Sequence, residues 1–542
     1  MEDYKPSFKH AVFYLLDVRS FFDADNDGVG DFRGLQQKLD YLQELGVTAL
    51  CLFPFQKSVG RHGGFDISDH RAIDPLLGTG KEFRSFLREA RRRGFRVMAD
   101  FVAHCTSNEH RWFQRARSSP ANSSARKFYL WRRGTEGDWG CPGPDWCWDE
   151  QARAYFRHAG HPDQPLLNYG HRPVVRAMAS VLRAWLAAGI EGLRIHGLAQ
   201  LRSSGEDEPM QPGLHVLRTW RAELSASFPD AVLIAAVDGW PDDLRQWAGN
   251  GTDGCHLIVN NPLVLRLLMA MRVEDYSFIR PIMEATPVLP EASAWALPGG
   301  IDSTLPVAAL TDEEKDYCQR VFQGFGGRHP WFEQRLARLL GNRQEGIRTF
   351  FGLLFSLPGV PCLYYGDEIG MGEMPGIPGA EALRAPMQWS AARNAGFSRA
   401  ETAELIRPCN TDSDFGYSSV NLESQLRNPH SLLWWMIRCL SLRERYFAFT
   451  EGDLKFIDSS NRTVLAYVRE CREQKILVAV NLGRSAGETM LDLARYEACA
   501  PFELFGQETF DKITAAPYKL SLGPKSFVWL RLAEAELEFT RE

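Results

Sequence analysis

Acidic residues alternate along a short loop near the start of the chain. Oxygen ligands at every second residue of a curling loop suit a hard cation, and one position offers a backbone carbonyl. The first six residues repeat the start of an EF-hand loop, but Gly34 stands where that loop needs a glutamate, which excludes an EF-hand. A structural metal site and a solvated acidic turn both fit the pattern. The candidate ligands are Asp23, Asp25, Asp27, Val29 and Asp31.

Strand-like and helix-like segments alternate over the first 350 residues and must position such a loop. Apolar runs without strict alternation are typical of a parallel sheet covered by helices on both faces. The alternation favours a (β/α)8 barrel or a doubly wound sheet. The predicted strands are 11–16, 47–53, 95–102, 192–195, 231–235 and 360–365, and the clearest helices are 35–45, 81–93 and 172–188.

The alternation breaks at two places, which divide the chain into domains. Residues 104–168 are rich in Trp, Gly, Pro and Asp and predict an inserted subdomain. Short strand-like runs separated by polar turns predict a C-terminal β-sandwich over 452–542. The barrel then comprises residues 1–103 and 169–451.

Composition excludes several classes of protein. The 542 residues are 44% hydrophobic and 24% charged, as in a globular chain with a large core. A net charge of −6 argues against nucleic-acid binding. There is no apolar segment of membrane-spanning length and no signal peptide, so we expect no membrane contact. The eleven cysteines form no CxxC pair, which favours reduced thiols and a cytoplasmic location.

A series of longer motifs resembles the α-amylase superfamily, glycoside hydrolase family 13, and within it most closely the trehalose synthase group. The resemblance covers nearly the whole chain. It implies a (β/α)8 barrel with an inserted subdomain B and a C-terminal β-sandwich, and it implies structural Ca²⁺ at the acidic loop. The motifs lie at residues 22–34, 64–67, 357–371, 384–389, 393–398, 428–436 and 503–506.

The resemblance also implies three catalytic carboxylates, and none of them is present. Retaining glycosidases of this kind use a carboxylate nucleophile and a carboxylic acid about 5–5.5 Å apart, and this family adds a third carboxylate. The three matching positions are occupied by His196, Ala236 and Ser303. Losing a catalytic set that acts as a unit costs about 10⁶-fold in rate, or roughly 8 kcal/mol of barrier. We therefore predict a trehalose-synthase-like pseudoenzyme without catalytic residues.

Other positions of the implied sugar pocket keep polar or aromatic side chains. We expect them at the carboxyl ends of the barrel strands, where they could bind an α-glucoside weakly. A zinc site that combines His104, Cys105, His196 and Asp302 is an alternative, and simple filling of the old cavity is another. The candidate substrate-binding residues are Phe65, Asp66, His104, Arg194 and Asp302.

Three functions are compatible with this sequence. The first is a scaffold or regulator in α-glucan or trehalose metabolism, as a homo-oligomer or in a complex with another carbohydrate-active protein. The second is a non-catalytic carbohydrate sensor. The third is an active maltose–trehalose isomerase or glycosidase with rewired catalysis through His196 or Asp302. An open pocket favours the sensor, and a pocket filled by His104, Cys105 and residues 166–167 favours the scaffold.

Overall fold

The computed structural model describes residues 8–134, 143–202, 211–300, 309–322 and 330–534. Asp302 and Ser303, two of the predicted site positions, lie outside the described residues.

Eight parallel strands, β1 to β8 in chain order, close into a barrel in which each strand pairs with its neighbours along the chain and β8 pairs with β1. Their side chains are mostly apolar and buried, because helices cover the outside. The predicted (β/α)8 barrel is confirmed, and closure excludes an open doubly wound sheet. The strands are Phe13–Leu16, Ala49–Leu52, Arg96–Val102, Gly192–His196, Val232–Ala236, Leu257–Val259, Ala294–Pro298 and Val360–Tyr364.

The α-helices of the described residues are numbered α1 to α15 in chain order. Local signals explain α3, where Thr79 caps the helix and exchanges hydrogen bonds with Glu82. The helix predicted over 35–45 is interrupted at Lys38, whose ψ of 5° lies outside helical geometry, and so becomes α1 and α2. The helices are Phe32–Gln37, Leu39–Leu45, Gly80–Arg92, Arg111–Arg117, Arg172–Ala187, Gln211–Ser227, Pro241–Arg245, Asn261–Val273, Ile279–Ala285, Asp312–Phe322, Leu336–Leu339, Gln344–Ser356, Leu422–Leu426, Leu432–Arg445 and Phe447–Glu451.

Two small sheets lie over the carboxyl-terminal side of the first strands. A hairpin follows β2, with strands Gln56–Ser58 and Ile67–Ile73. After β3 the chain forms a three-stranded antiparallel sheet from Trp131–Arg132, Trp146–Asp149 and Ala154–Arg157, and it returns to the barrel at α5.

The C-terminal part of the chain is an antiparallel β-domain, which confirms that prediction. It contains a five-stranded sheet and a separate two-stranded sheet with a shared apolar core. Tyr467 joins it to the barrel, because its hydroxyl lies 2.6 Å from Ser356 Oγ at the end of α12. The strands are Asp453–Ile457, Val464–Cys471, Gln474–Asn481, Gly487–Leu491, Cys499–Glu503, Tyr518–Leu522 and Ser526–Glu534.

Within the described residues, every helix is too short or too polar to cross a lipid bilayer.

Candidate active site at the mouth of the barrel

A cavity of about 570 Å³ opens at the carboxyl ends of the barrel strands. Its volume lies within the range of small-molecule sites. Phe53, Phe65 and Tyr364 supply aromatic walls, and Arg194 and His196 supply polar groups. The cavity is open at this end of the barrel. Its lining combines the apolar surface and the few polar groups that bind a small polar ligand.

A buried network of three side chains lies beneath this cavity. Arg194 donates from Nε to Asp100 Oδ1 at 2.7 Å and from Nη2 to Oδ2 at 2.9 Å. His196 Nε2 lies 3.0 Å from the same Oδ2. The network follows from strand register, because Asp100 on β3 is the direct partner of Arg194 on β4.

Asp100 stays ionised in this environment. Its side chain is fully buried, and burial alone raises the pKa of a carboxyl. The charges of Arg194 and His196 and their hydrogen bonds outweigh burial and hold the pKa of Asp100 well below its usual value. The fixed carboxylate in turn orients the imidazole of His196. The His196 ring also packs edge-to-face against Phe65, with 5.1 Å between the two ring centres.

The structure places the first two predicted catalytic positions side by side. His196 and Ala236 end β4 and β5, are register partners and both line the cavity. Residues before them in each strand are buried, whereas these two are half-buried and face the opening. Ala236 contributes only a methyl group, so proton transfer at this end of the barrel must involve other side chains.

His104 packs beneath the end of β4 and is not among the described residues that line the cavity. A Cβ on Gly197 would lie 2.0 Å from His104 Nδ1, so glycine is required there. Burial, together with the charge of His196, lowers the pKa of His104 to about 4, which leaves its ring neutral. Burial likewise raises the pKa of the Cys105 thiol. Among the described residues, His104, Cys105 and His196 do not form a group whose ligand atoms all lie within 4.8 Å of one another, so the structure does not favour the zinc alternative.

Asp66 shapes the loop that carries Phe65. It is buried, and its Oδ2 accepts a hydrogen bond from the backbone N–H of Arg61 at 3.0 Å. Asp66 is absent from the described cavity lining, so of the five predicted binding residues the structure brings Phe65 and Arg194 into the cavity.

Several cavity residues were not predicted from the sequence. His62 and His161 stack at 4.3 Å, and His62 Nε2 lies 2.9 Å from both carboxylate oxygens of Asp163. These contacts join the hairpin after β2 to the inserted segment over long sequence separations. Asp238 and Glu381 add carboxylates to the lining. Asp238 follows the predicted strand 231–235 closely, which is the one local signal that could have identified it.

The acidic loop brings three of its five predicted ligands together. Carboxylate oxygens of Asp23, Asp25 and Asp27 lie within 4.8 Å of one another. Burial first, and then repulsion from neighbouring aspartates, raise the pKa of Asp27. A bound cation would relieve that repulsion, so the donor set fits Ca²⁺. Asp31 has another role, because its two oxygens accept backbone hydrogen bonds from Gly34 and Ala24 and cap α1.

Comparisons with known proteins agree with this architecture. A family model described as "Alpha amylase, catalytic domain" matches residues 17–235 and 329–452, and one described as "Maltogenic Amylase, C-terminal domain" matches 454–529. The chain is 38% identical to the trehalose synthase/amylase TreS of Mycolicibacterium smegmatis, over 98% of this chain and 93% of that protein. It is 37% identical to the trehalose synthase of Pimelobacter sp. strain R48, over 98% and 96%.

A solved structure shows the same fold at lower identity. The trehalulose synthase MutB of Pseudomonas mesoacidophila MX-45 superposes with a TM-score of 0.78 at 22% identity, over 97% of this chain and 99% of that one. At this identity the likeness concerns the fold alone.

These findings correct the predicted function. The prediction of a non-catalytic pseudoenzyme, whether scaffold or sensor, is wrong, because relatives with 37–38% identity over nearly the whole chain are named as enzymes. The prediction rested on His196 and Ala236 replacing two carboxylates, and both residues do stand at the cavity. Its error was to equate the loss of groups at aligned positions with the loss of chemistry, although other ionisable groups line the cavity, among them His196, Asp238 and Glu381.

The residue ranges of the two family matches correspond to the two main parts of the structure, the barrel and the C-terminal β-domain. The catalytic-domain match covers more than half of the chain, and its outer limits lie just after β1 and just after α15. The second match covers most of the C-terminal sheets. The chain therefore belongs to the α-amylase family of glycoside hydrolases, family 13.

Proposed function

We propose that the protein is an enzyme that rearranges or transfers the glucosyl unit of a small α-glucoside, with maltose and trehalose as its substrates. The names of the relatives with 37–38% identity support this substrate class. The size of the cavity supports it as well, because about 570 Å³ accommodates a disaccharide-sized ligand.

The observation that carries the proposal is the contact of His196 with Asp100 at the cavity floor. His196 Nε2 lies 3.0 Å from a buried carboxylate that Arg194 holds in place. An imidazole fixed by a carboxylate is well suited to give and take a proton during catalysis. In the proposed reaction His196 protonates the glycosidic oxygen and later removes a proton from the attacking hydroxyl.

In this proposal, the aromatic side chains that line the cavity bind the sugar rings. Phe65 and Phe53 both lie beside the guanidinium of Arg384, which is 5.4 Å and 5.2 Å from their ring centres. Aromatic faces pack against the apolar faces of sugars, and a guanidinium donates hydrogen bonds to hydroxyl groups.

We also propose that Asp23, Asp25 and Asp27 hold a structural Ca²⁺. The acidic loop lies next to β1 in the chain and contacts the segment near residue 398, because Ser398 Oγ donates to Asp23 Oδ2 at 2.6 Å. A cation there would stabilise the junction of two segments that are far apart in the sequence.

The test is conversion of purified sugars. The protein is incubated separately with maltose and with trehalose, and the products are separated by chromatography. We expect interconversion or release of glucose, and a loss of about 10²–10⁴-fold in the His196→Ala variant. His215→Ala, which removes an exposed histidine of α6, is the matched control and should retain wild-type activity.

Two outcomes would contradict the proposal. The first is a wild-type protein, folded and supplied with Ca²⁺, that converts neither sugar. The second is a His196→Ala variant as active as the wild type.

A further inference from the structure

One tryptophan near the cavity is exposed and keeps a free hydrogen-bond donor. Of the tryptophans whose burial the structure describes, Trp240 and Trp434 are the exposed ones, at 39% and 41%. Trp434 Nε1 donates a hydrogen bond to the backbone oxygen of Leu426 at 3.1 Å. Within the described residues, the indole N–H of Trp240 has no hydrogen-bond acceptor.

The segments that follow two neighbouring barrel strands meet at Trp240. The residue comes after β5, two positions beyond Asp238, which lines the cavity. Its ring packs on Arg266 of α8, whose guanidinium carbon lies 4.7 Å from the ring centre. The helix α8 follows β6, and its residues Asn261 and Val264 line the cavity. Because parallel strands all end at one side of a barrel, Trp240 lies on the same side as the cavity mouth.

Arg266 is held in place against the indole. Its side chain is 5% exposed, and its Nη1 donates to the backbone oxygen of Pro262 at 3.1 Å. Its Nη2 donates to Glu314 Oε2 at 2.7 Å, in α10 beyond β7. A fixed guanidinium stabilises the position of the ring that it covers. The exposed part of Trp240 is therefore its other face, together with its N–H edge.

A fixed, exposed indole beside a sugar cavity is suited to hold one more sugar ring. The apolar face of a pyranose packs on an aromatic face, and the indole N–H donates a hydrogen bond to a hydroxyl group. Two peptide units separate the Cα atoms of Asp238 and Trp240, which are thus at most about 7.6 Å apart. A sugar ring joined to one that occupies the cavity can therefore reach the indole.

We propose that Trp240 binds the third glucose ring of a linear α-glucoside whose first two rings occupy the cavity. The identification of these rings as glucose rests on the proposed function. Trp240 is then a specificity-determining residue, which favours maltotriose over maltose and does not touch the reacting bond.

Equilibrium binding of maltose and of maltotriose tests this assignment. Titration calorimetry is carried out in the His196→Ala background, in which the proposed function predicts slow turnover of both sugars. We expect maltotriose to bind about three- to tenfold more tightly than maltose. Trp240→Ala should abolish this difference, with maltose binding kept within about twofold.

Two further variants make the binding experiment specific for the ring of Trp240. Trp434→Ala, which removes the other exposed indole from α14, is the matched control and should keep the difference between the sugars. Trp240→Phe keeps an aromatic face and should keep most of the difference.

Steady-state kinetics separate a specificity role from a structural one. With His196 present, Trp240→Ala should raise KM for maltotriose by about three- to tenfold and leave kcat for both sugars within about twofold, because it removes binding that is equal in the ground state and the transition state. A large loss of kcat on maltose would show a structural role and overturn the assignment.

The outcomes distinguish this assignment from the proposed function. A protein that converts neither sugar, but loses its preference for maltotriose in Trp240→Ala, overturns the proposed function alone. A protein that converts maltose but binds the two sugars equally overturns the assignment alone. The assignment is also overturned if Trp240→Ala keeps the preference, or if Trp240→Phe loses it as fully as Trp240→Ala does.

Discussion

The Asp100→Asn variant removes one negative charge from beneath the cavity and keeps the shape of the side chain. Asp100 is fully buried, and its two oxygens face Nε and Nη2 of Arg194. Removing one partner of a buried ion pair typically costs about 3–5 kcal/mol, because the other charge loses its compensation. We expect a loss of that size in the free energy of unfolding at pH 7, measured by urea denaturation followed by fluorescence.

The effect should depend on pH in a defined direction. The folded-state pKa of Asp100 lies below its unfolded value, so its contribution is complete above pH 5 and falls as the pH drops through the interval between the two pKa values. Below the unfolded pKa of about 3.9, wild type should lose about 1.4 kcal/mol per pH unit relative to the variant. The difference between the two proteins should therefore shrink from pH 5 to pH 3.

Glu223→Gln is the matched control for this experiment. Its ion pair with Arg183 is equally short, at 2.7 Å, but the side chains are 38% and 44% exposed. Exposed pairs contribute less than about 1 kcal/mol. A cost below 1 kcal/mol for Asp100→Asn at pH 7, or a difference that does not shrink at low pH, would refute the account of the buried network.

Two further predictions concern stability. If Asp23, Asp25 and Asp27 hold Ca²⁺, a chelator should lower the melting temperature, since Ca²⁺ at 100 times its Kd adds about 2.7 kcal/mol to the free energy of unfolding. An Asp25→Asn/Asp27→Asn double variant should have the same melting temperature with and without chelator. A calcium-loaded wild-type protein whose melting curve does not change with chelator would contradict the site. Thr79→Ala should lower the free energy of unfolding, measured by urea denaturation, by about 0.5–2 kcal/mol, because it removes the N-terminal cap of α3. A change below about 0.3 kcal/mol would show that the capping pair with Glu82 is not needed.

Local pattern was enough to predict the elements that form the barrel. The strand predicted over 95–102 is observed as Arg96–Val102, because burial and strand propensity act within a few neighbouring residues. The stacking of His62 on His161 joins segments about a hundred residues apart, and the sequence offered no pattern for it. The homo-oligomer or complex with another carbohydrate-active protein stays a prediction, and so does the cytoplasmic location.

The candidate site shows that residues at aligned sequence positions are not the only residues that reach the cavity in the folded structure. The prediction of a missing activity rested on the missing carboxylates at His196 and Ala236, which the structure places at the ends of adjacent strands. A cavity, however, accepts a side chain from any segment that reaches it. Asp238 enters from the loop beyond β5, and Glu381 enters from a segment nearly 150 residues further along the chain. The charge that a reaction needs is set by the groups that converge on the substrate, wherever those groups stand in the sequence.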